Sequence, residues 1–440
     1  MGKAITRILL VLLLLGHWPK LVQAQATIGR QGTPFTGAPG ITMTVDEIIK
    51  IGAGKVRLQS LKSRDELSTK TTRNPGHSPN ALPGNIYPKG GSPVDMVQNN
   101  TQSFHSNFSA LDAFENSVPI TPPDCMGDIG PTQVCIASNN GIKWYPKPTV
   151  CDAPLTTSNT FGTSLLPDPT VNIYIEDFFA SVSGANNDPL ISVTDPHVHY
   201  DRLSQRWFIV AITTAAASNR IMIAVSSGPT ITGTTSFTFF QFAHDVDASG
   251  TDPDKGEFCD YPTLGVDKNA LYIGGLIFGS VTGSFKGTSA YVVRKSSLTG
   301  GGPLVFTAFR QLGTANSGMF CAQGVHNDDP AADRGYFVAV NAVNFGQLDY
   351  LVVSNPGGTP SITPGIIDVP DTDFPKDVSA KGSTKKLDAA DDRLLNAHLV
   401  KNKLNGSSSI WTSHNIGVNS AGLSSGAVLD RSAVRWYQLN

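Results

Sequence analysis

The sequence predicts an all-β chain, a β-propeller built from four-stranded antiparallel blades. Turn chemistry is abundant: 43 Gly and 29 Pro stand among 440 residues, and only 15% of the chain is charged. Short apolar runs of alternating pattern recur in groups of about four strands, roughly every fifty to seventy residues, which is what successive blades require. No long helical pattern separates the groups, so parallel βαβ units are excluded. A β-sandwich would need fewer quartets.

The first 24 residues carry Lys3 and Arg7, then "ILLVLLLLG" (Ile8 to Gly16), then "LVQA" ending at Ala24. This is the layout of a secretory signal peptide, with an apolar run too short to span a bilayer. It predicts a secreted protein, extracellular or held at the cell surface, with no membrane span after its removal. Lys3, Arg7 and Lys20 stand there without acids, so the formal −2 of the whole chain becomes −5 for the remainder. That balance offers nucleic acid no electrostatic footprint. Residues 25–106 form a low-complexity, weakly ordered segment that cannot bury enough surface to fold alone. Within it, Thr44 to Ser63 holds Ile48, Ile49 and Ile51 at spacings that suit a short helix docked on the main body.

Residues 107–440 are the propeller, with five units visible. "QVCIAS" and "GIKWYP" open it; "HVHYD", "RWFIVAI", "RIMIAVS" and "FTFFQF" form the second group. "PTLGVD", "ALYIGGLIF", "AYVVRKS" and "LVFTAFRQL" form the third, "QGVHN", "GYFVAVNA" and "LDYLVVS" the fourth, "RLLNAHLV", "SSIWTSH" and "AVRWYQL" the fifth. In "HVHYDRLSQRWFIVAI" the positions Val198, Tyr200, Phe208, Val210 and Ile212 keep a period of two on either side of a tight connection. Trp207 falls on the opposite pleat face from Phe208, suited to packing on a neighbouring blade. His197 and His199 share a face, but no third ligand is indicated for a metal.

The segments "PPDCMGDIGPTQVCIASNNGIKWY", "DPHVHYDRLSQRWFIVAI", "DYPTLGVDKNALYIGGLIF", "LDAADDRLLNAHLV" and "RSAVRWYQL" resemble a family of exported bacterial proteins of largely unknown function. The resemblance covers about Ala110 to the end and implies a propeller, with little about activity. Members of that family continue beyond the "VRWYQL" segment, so the resemblance implies either a C-terminally truncated chain with an incomplete ring or a ring completed differently.

Two constellations could carry chemistry. Asp195, Asp260, Asp328 and Asp392 stand near the starts of inner strands, with His197 and Arg393 beside them. Repeated around a channel mouth they would hold a cation or sugar hydroxyls. Aspartate also starts strands by capping backbone amides, which leaves a purely structural reading open. In "DVDASGTDPDKGE", Asp245, Asp247 and Ser249 before Gly250 match the first half of a calcium loop, and Asp252, Asp254 and Glu257 could complete the shell. The closing acid is one position late for an EF-hand, and a solvated acidic loop is the plain alternative.

Five cysteines match no zinc spacing. Cys259 and Cys321 each precede an inner strand and are expected to bridge neighbouring blades, given Cα atoms within about 7 Å. Cys125, Cys135 and Cys151 then compete for one further bond. No nucleophile elbow, zinc-protease helix or phosphate loop is present. Two functions follow: a non-catalytic propeller that binds an extracellular protein or glycan, or a polysaccharide-acting hydrolase or lyase with acids at the channel mouth.

Overall fold

The computed structural model describes residues 29–53, 73–84, 124–147, 169–184, 191–214, 219–246, 251–424 and 428–440; the first 24 residues, expected to be a signal peptide, lie outside them. Five antiparallel meanders follow one another along the chain, those of blades 3 and 4 being joined into one sheet where Gly313 and Thr314 pair with Gly318 and Ser317. Blade 1 is Met126–Ile129, Gln133–Ala137, Gly141–Pro146 and Val171–Tyr174. Blade 2 is Val193–Asp201, Arg206–Thr213, Arg220–Ser226 and Ser236–Ala243. Blade 3 has an interrupted inner strand, Phe258–Asp260 and Gly265–Val266, then Ala270–Phe278, Phe285–Arg294 and Val305–Thr314. Blade 4 is Ser317–Gly324, Arg334–Asn341, Gln347–Ser354 and Ser361–Asp368. Blade 5 is Asn396–Lys401, Ser408–Val418 and Arg431–Leu439, with His326–Asn327 lying parallel on its inner edge. The histidine of "QGVHN" therefore joins blade 5, not the fourth unit in which the sequence pattern places it.

Apolar cores fill the spaces between blades because successive residues of each strand face opposite neighbours. Trp207 is fully buried in the core shared with blade 1, its ring edge-on to Trp144 at 6.3 Å and its Nε1–H donating to the Pro229 carbonyl at 2.8 Å. Phe208, the next residue, enters the core shared with blade 3. Full burial of side chains of this size is worth about 1.5–3 kcal/mol each, and most of the stretch from Thr194 to Ile212 serves this packing.

Residues 29–53 strap the outside of the propeller. Arg30–Gln31 adds to the outer edge of blade 4, Pro34–Thr36 to blade 3 and Ile41–Thr44 to blade 2. Each blunts an edge strand that would otherwise present unpaired amides. Gly32 permits the close approach, since a Cβ there would meet Thr307 Cγ2 at 2.2 Å. The helix Val45–Gly52 follows, started by a capping box in which Glu47 N–H donates to Thr44 Oγ1 at 3.3 Å and Thr44 N–H to Glu47 Oε2 at 2.7 Å. Such a cap contributes about 1 kcal/mol. Val45 and Ile48 are buried in the core of blades 1 and 2, so this segment is ordered by docking. Residues 73–84 return to blade 4 at the connection between its second and third strands, where Gly76–His77 pairs in parallel with Asn344–Phe345.

Cys259 and Cys321 are free thiols, which corrects the expected bridge. The two are not equivalent positions. Cys321 has a left-handed backbone (φ 59°), and its counterpart in blade 3 is Tyr261 (φ 49°), two residues past Cys259. Cys259 enters the core between blades 2 and 3, whereas Cys321, at the left-handed position itself, enters the one between blades 4 and 5. Among the described residues no helix is long and apolar enough to cross a membrane.

Candidate active site

Each blade has one non-glycine residue in the left-handed region within or close to its inner strand: Asp124, Asp195, Tyr261, Cys321 and Ala390, with φ between 44° and 59°. They recur at intervals of 60 to 71 residues, one per blade. In blades 2 and 4 the pairing register slips at this point, as in a β-bulge. Bulges re-aim side chains, here toward the axis, and a left-handed non-glycine residue costs of order 1–3 kcal/mol that the surrounding packing must offset.

A belt of polar groups forms at this level. Asn139 donates to Asp124 at 2.6 Å and accepts the Asp195 amide at 2.7 Å and the Thr194 hydroxyl at 3.1 Å. Asp195 Oδ2 accepts the Tyr261 amide at 3.3 Å. The Arg393 guanidinium lies 4.2 Å from the Tyr261 ring centroid and donates to Asp391 at 2.8 and 2.6 Å. Burial works against the Arg393 charge, but Asp391 outweighs it and its pKa is raised. Arg73, from the returning strap, is buried against Asp392 and stands 3.6 Å over the Phe320 ring. His197 packs edge-on to Tyr261 at 5.7 Å, and burial lowers its pKa to about 4. Burial pushes the Cys321 thiol up to about 12.

Four residues further along the blade 2 strand, about 13 Å away, a second belt is made of histidines. The His199 and His326 rings stack at 4.7 Å with 18° between planes, and His398 stands edge-on to His199 at 5.7 Å. Blade 1 supplies Asp128, whose Oδ2 accepts the Tyr200 amide at 2.7 Å and stands 3.4 Å from His199 Nδ1. Burial opposes the Asp128 charge, yet these bonds hold its carboxyl below the ordinary range. His199 Nε2–H donates to the Leu264 carbonyl of blade 3 at 2.9 Å; burial lowers its pKa despite Asp128. Burial, then the two neighbouring imidazoles, lower His398 to about 4.

His326 is the exception in partners. Its Nε2 stands 3.2 Å from Asp328 Oδ1, and that bond holds the Asp328 carboxyl below the usual range. Its Nδ1 is buried with no hydrogen-bond partner. Facing a carboxylate, Nε2 carries the proton, which leaves Nδ1 as a bare lone pair in the neutral ring. At the rim, Arg202 is 72% exposed and 3.6 Å from Asp328, and Lys401 is 3.6 Å from Asp329.

From His398 the belt continues outward on one face of blade 5. Trp411 is the direct cross-strand partner of His398, and its ring stacks with that of Trp436 at 5.4 Å and 21°. The two indoles are 39% and 61% exposed, and Val434 beyond them is 70% exposed.

Of the residues singled out in sequence, Asp195, His197, Asp392 and Arg393 meet in the first belt, with Asp260 within electrostatic reach of Cys321. Asp328 lies in the second belt instead. In the acidic loop, Asp252 and Asp254 turn inward onto Arg310, Asp254 also accepting from Ser289 at 2.5 Å. Asp245 accepts the Gly256 amide at 3.0 Å and Glu257 the Ser280 amide at 2.9 Å. Asp247 and Ser249 lie outside the described residues. Among the described residues no group of three or more His, Cys, Asp or Glu is set to hold a metal ion. Sequence reasoning missed His326, His398, Asp128, Tyr261 and Arg73. The one available signal was a histidine four and five residues past the bulges of blades 2 and 4.

No protein-family profile matches the chain, and no curated protein matches it in sequence. Solved structures with partial likeness include a subtype N11 neuraminidase-like protein (H18N11, flat-faced bat), 7% identical over 72% of this chain and 71% of that one, TM-score 0.35. An α-L-arabinanase of Penicillium chrysogenum complexed with arabinobiose is 12% identical over 71% and 92%, TM-score 0.34. An exo-β-1,3-galactanase of Clostridium thermocellum is 10% identical over 72% and 59%, TM-score 0.32. Likenesses this distant carry nothing about chemistry, which rests on the two belts.

Proposed function

We propose that the chain is an exported enzyme that cleaves a polysaccharide at the histidine belt, as a hydrolase or lyase, with His326 as general base. The observation that carries this reading is the Asp328–His326 pair, whose Nδ1 lone pair is buried in the channel and unpartnered. A carboxylate that fixes one imidazole nitrogen as a donor aims the other as a base. In hydrolysis Nδ1 takes a proton from water as the oxygen attacks the anomeric carbon, the glycosidic C–O bond breaks, and the departing oxygen takes up a proton from solvent. In elimination Nδ1 takes the proton from the sugar carbon next to a uronate carboxyl, a double bond forms to the neighbouring carbon as its C–O bond to the glycosidic oxygen breaks, and that oxygen takes up a proton from solvent. Either way Asp328 stabilises the imidazolium through its Nε2–H. Of the other acids expected at the channel mouth, Asp392 is less suited to this role, since Arg73 holds it.

A glycan is the substrate class because Trp411 and Trp436 lead from His398 to the outside as an aromatic track. The apolar faces of sugar rings stack on indoles while their hydroxyls stay wet. Export is supported by the basic start and apolar run of the first 24 residues. The same track favours a second reading, retention of a glycan without cleavage. Polysaccharides incubated with the full chain distinguish the two: reducing ends that fall about 100-fold or more in His326→Ala support cleavage. Unsaturated products assign elimination. Retention with no reducing ends supports binding alone.

A further inference from the structure

A cavity of about 580 Å³ opens between blades 3 and 4, and none of the belt residues lines it. Its size falls within the range of small-molecule sites, and its walls are largely apolar: Leu312, Leu351, Ile362 and Ile366. One wall carries Asp349, which is only 5% exposed. It occupies a position of the blade 4 face where the alternate residues Leu351 and Val353 belong to the core with blade 3.

The carboxyl's partner is a neutral one: Asn341 Nδ2 donates to both oxygens at 3.1 Å. Among the described residues no cation stands within ion-pair distance of it. Asn341 in turn accepts the Val343 and Asn344 amides at 3.0 Å each, so Asp349 helps orient a turn. That task needs an acceptor, not a charge. Desolvation raises the Asp349 pKa to about 6, so at neutral pH the group is a carboxylate lacking its counter-ion. A buried carboxylate is costly unless paired, and a ligand entering the cavity can supply the pair.

We propose that this cavity binds a small organic cation, an ammonium group carried on an apolar body. The apolar walls take the body and Asp349 takes the ammonium as a charge-assisted hydrogen bond. Arg30 and Tyr350 are the other charged or titratable groups lining the cavity. The Arg30 guanidinium is committed to the Arg310 carbonyl at 2.9 Å and lies 5.7 Å from the Phe309 ring centroid.

Calorimetric titration of the full chain with phenethylamine and with hexylamine tests the assignment, with phenethyl alcohol as the uncharged control. Saturable amine binding at millimolar concentration or below is expected, at least tenfold tighter than the alcohol. It should weaken as pH falls through about 6, where Asp349 takes up its proton. Asp349→Asn keeps an acceptor for Asn341 and should lose at least tenfold in amine affinity. Ile366→Trp, at a 59% exposed position of the rim, should block the cavity and gives the same readout should Asp349→Asn not fold. Failure of both amines to bind, or binding undiminished in the variants that fold, overturns the proposal.

Discussion

The two belts of the channel share a geometry and differ in what is left over. Both draw groups from across the ring, and both are buried around one axis. In the first, Arg393 is bound to Asp391, Arg73 to Asp392, and Asn139 links Asp124 to Asp195, so the charges are paired, although Arg73 Nε and Nη1 are buried without a hydrogen-bond partner. In the second, three imidazoles crowd together, burial lowers the pKa of His199 and His398, and His326 Nδ1 has no partner. A belt of paired charges fixes the bulged strands in place. A belt of crowded imidazoles with an unpartnered ring nitrogen retains capacity for a ligand, which is the physical difference between a structural and a reactive cluster.

The largest effect expected of a single substitution is on the belt of paired charges. Asp392→Ala leaves the Arg73 guanidinium buried without its counter-charge and should cost about 3–5 kcal/mol, read as a fall in the urea midpoint. A loss below about 1 kcal/mol would mean that the pair is solvated and the comparison between belts fails.

Acid should act next, chiefly through the histidines. His197 and His398 have folded pKa values of about 4 against an ordinary value of 6.5, and burial also lowers His199. Their neutral forms favour the fold, so this stability is complete above about pH 6.5 and is lost as pH falls toward 4, at about 1.4 kcal/mol for each unit of depression. Urea midpoints measured across that window should slope upward with pH, and the slope should flatten in His398→Phe. A flat profile in the unmodified chain would show that the rings are solvated.

Trp436→Ala should weaken retention on a polysaccharide about 2–10-fold, the usual worth of an aromatic contact, with little change in stability because the ring is 61% exposed. A loss of stability instead would mark the tryptophan as packing. The smallest effect is reserved for calcium. With Asp252 and Asp254 turned onto Arg310, millimolar calcium should move the thermal midpoint by under about 1 °C, and a rise of several degrees would restore the loop as a calcium site.

The fold was legible in sequence because period-two patterning is a local property: Trp207 and Phe208 point to different blades for the reason their alternation gives. The strap was not, since its strands span only two to four residues and take their order from the edges they cover. The failed Cys259 to Cys321 pairing shows the limit of register. Both cysteines precede apolar runs, but the bulge that sets the equivalence falls at Tyr261 in one blade and at Cys321 in the next. Half of the channel chemistry was visible through its aspartates. The histidine belt was not, because His199, His326 and His398 meet only through the parallel pairing of His326–Asn327 on blade 5, which no sequence pattern announces.

Nitrogen NMR of the imidazole rings tests the central claim most directly, with His326 assigned by its loss in His326→Gln. For the uncharged ring the account predicts the tautomer protonated at Nε2 and bare at Nδ1, whose Nδ1 signal moves on addition of a cleaved or retained polysaccharide. The opposite tautomer, protonated at Nδ1, or an Nδ1 signal unmoved by the polysaccharide would contradict it.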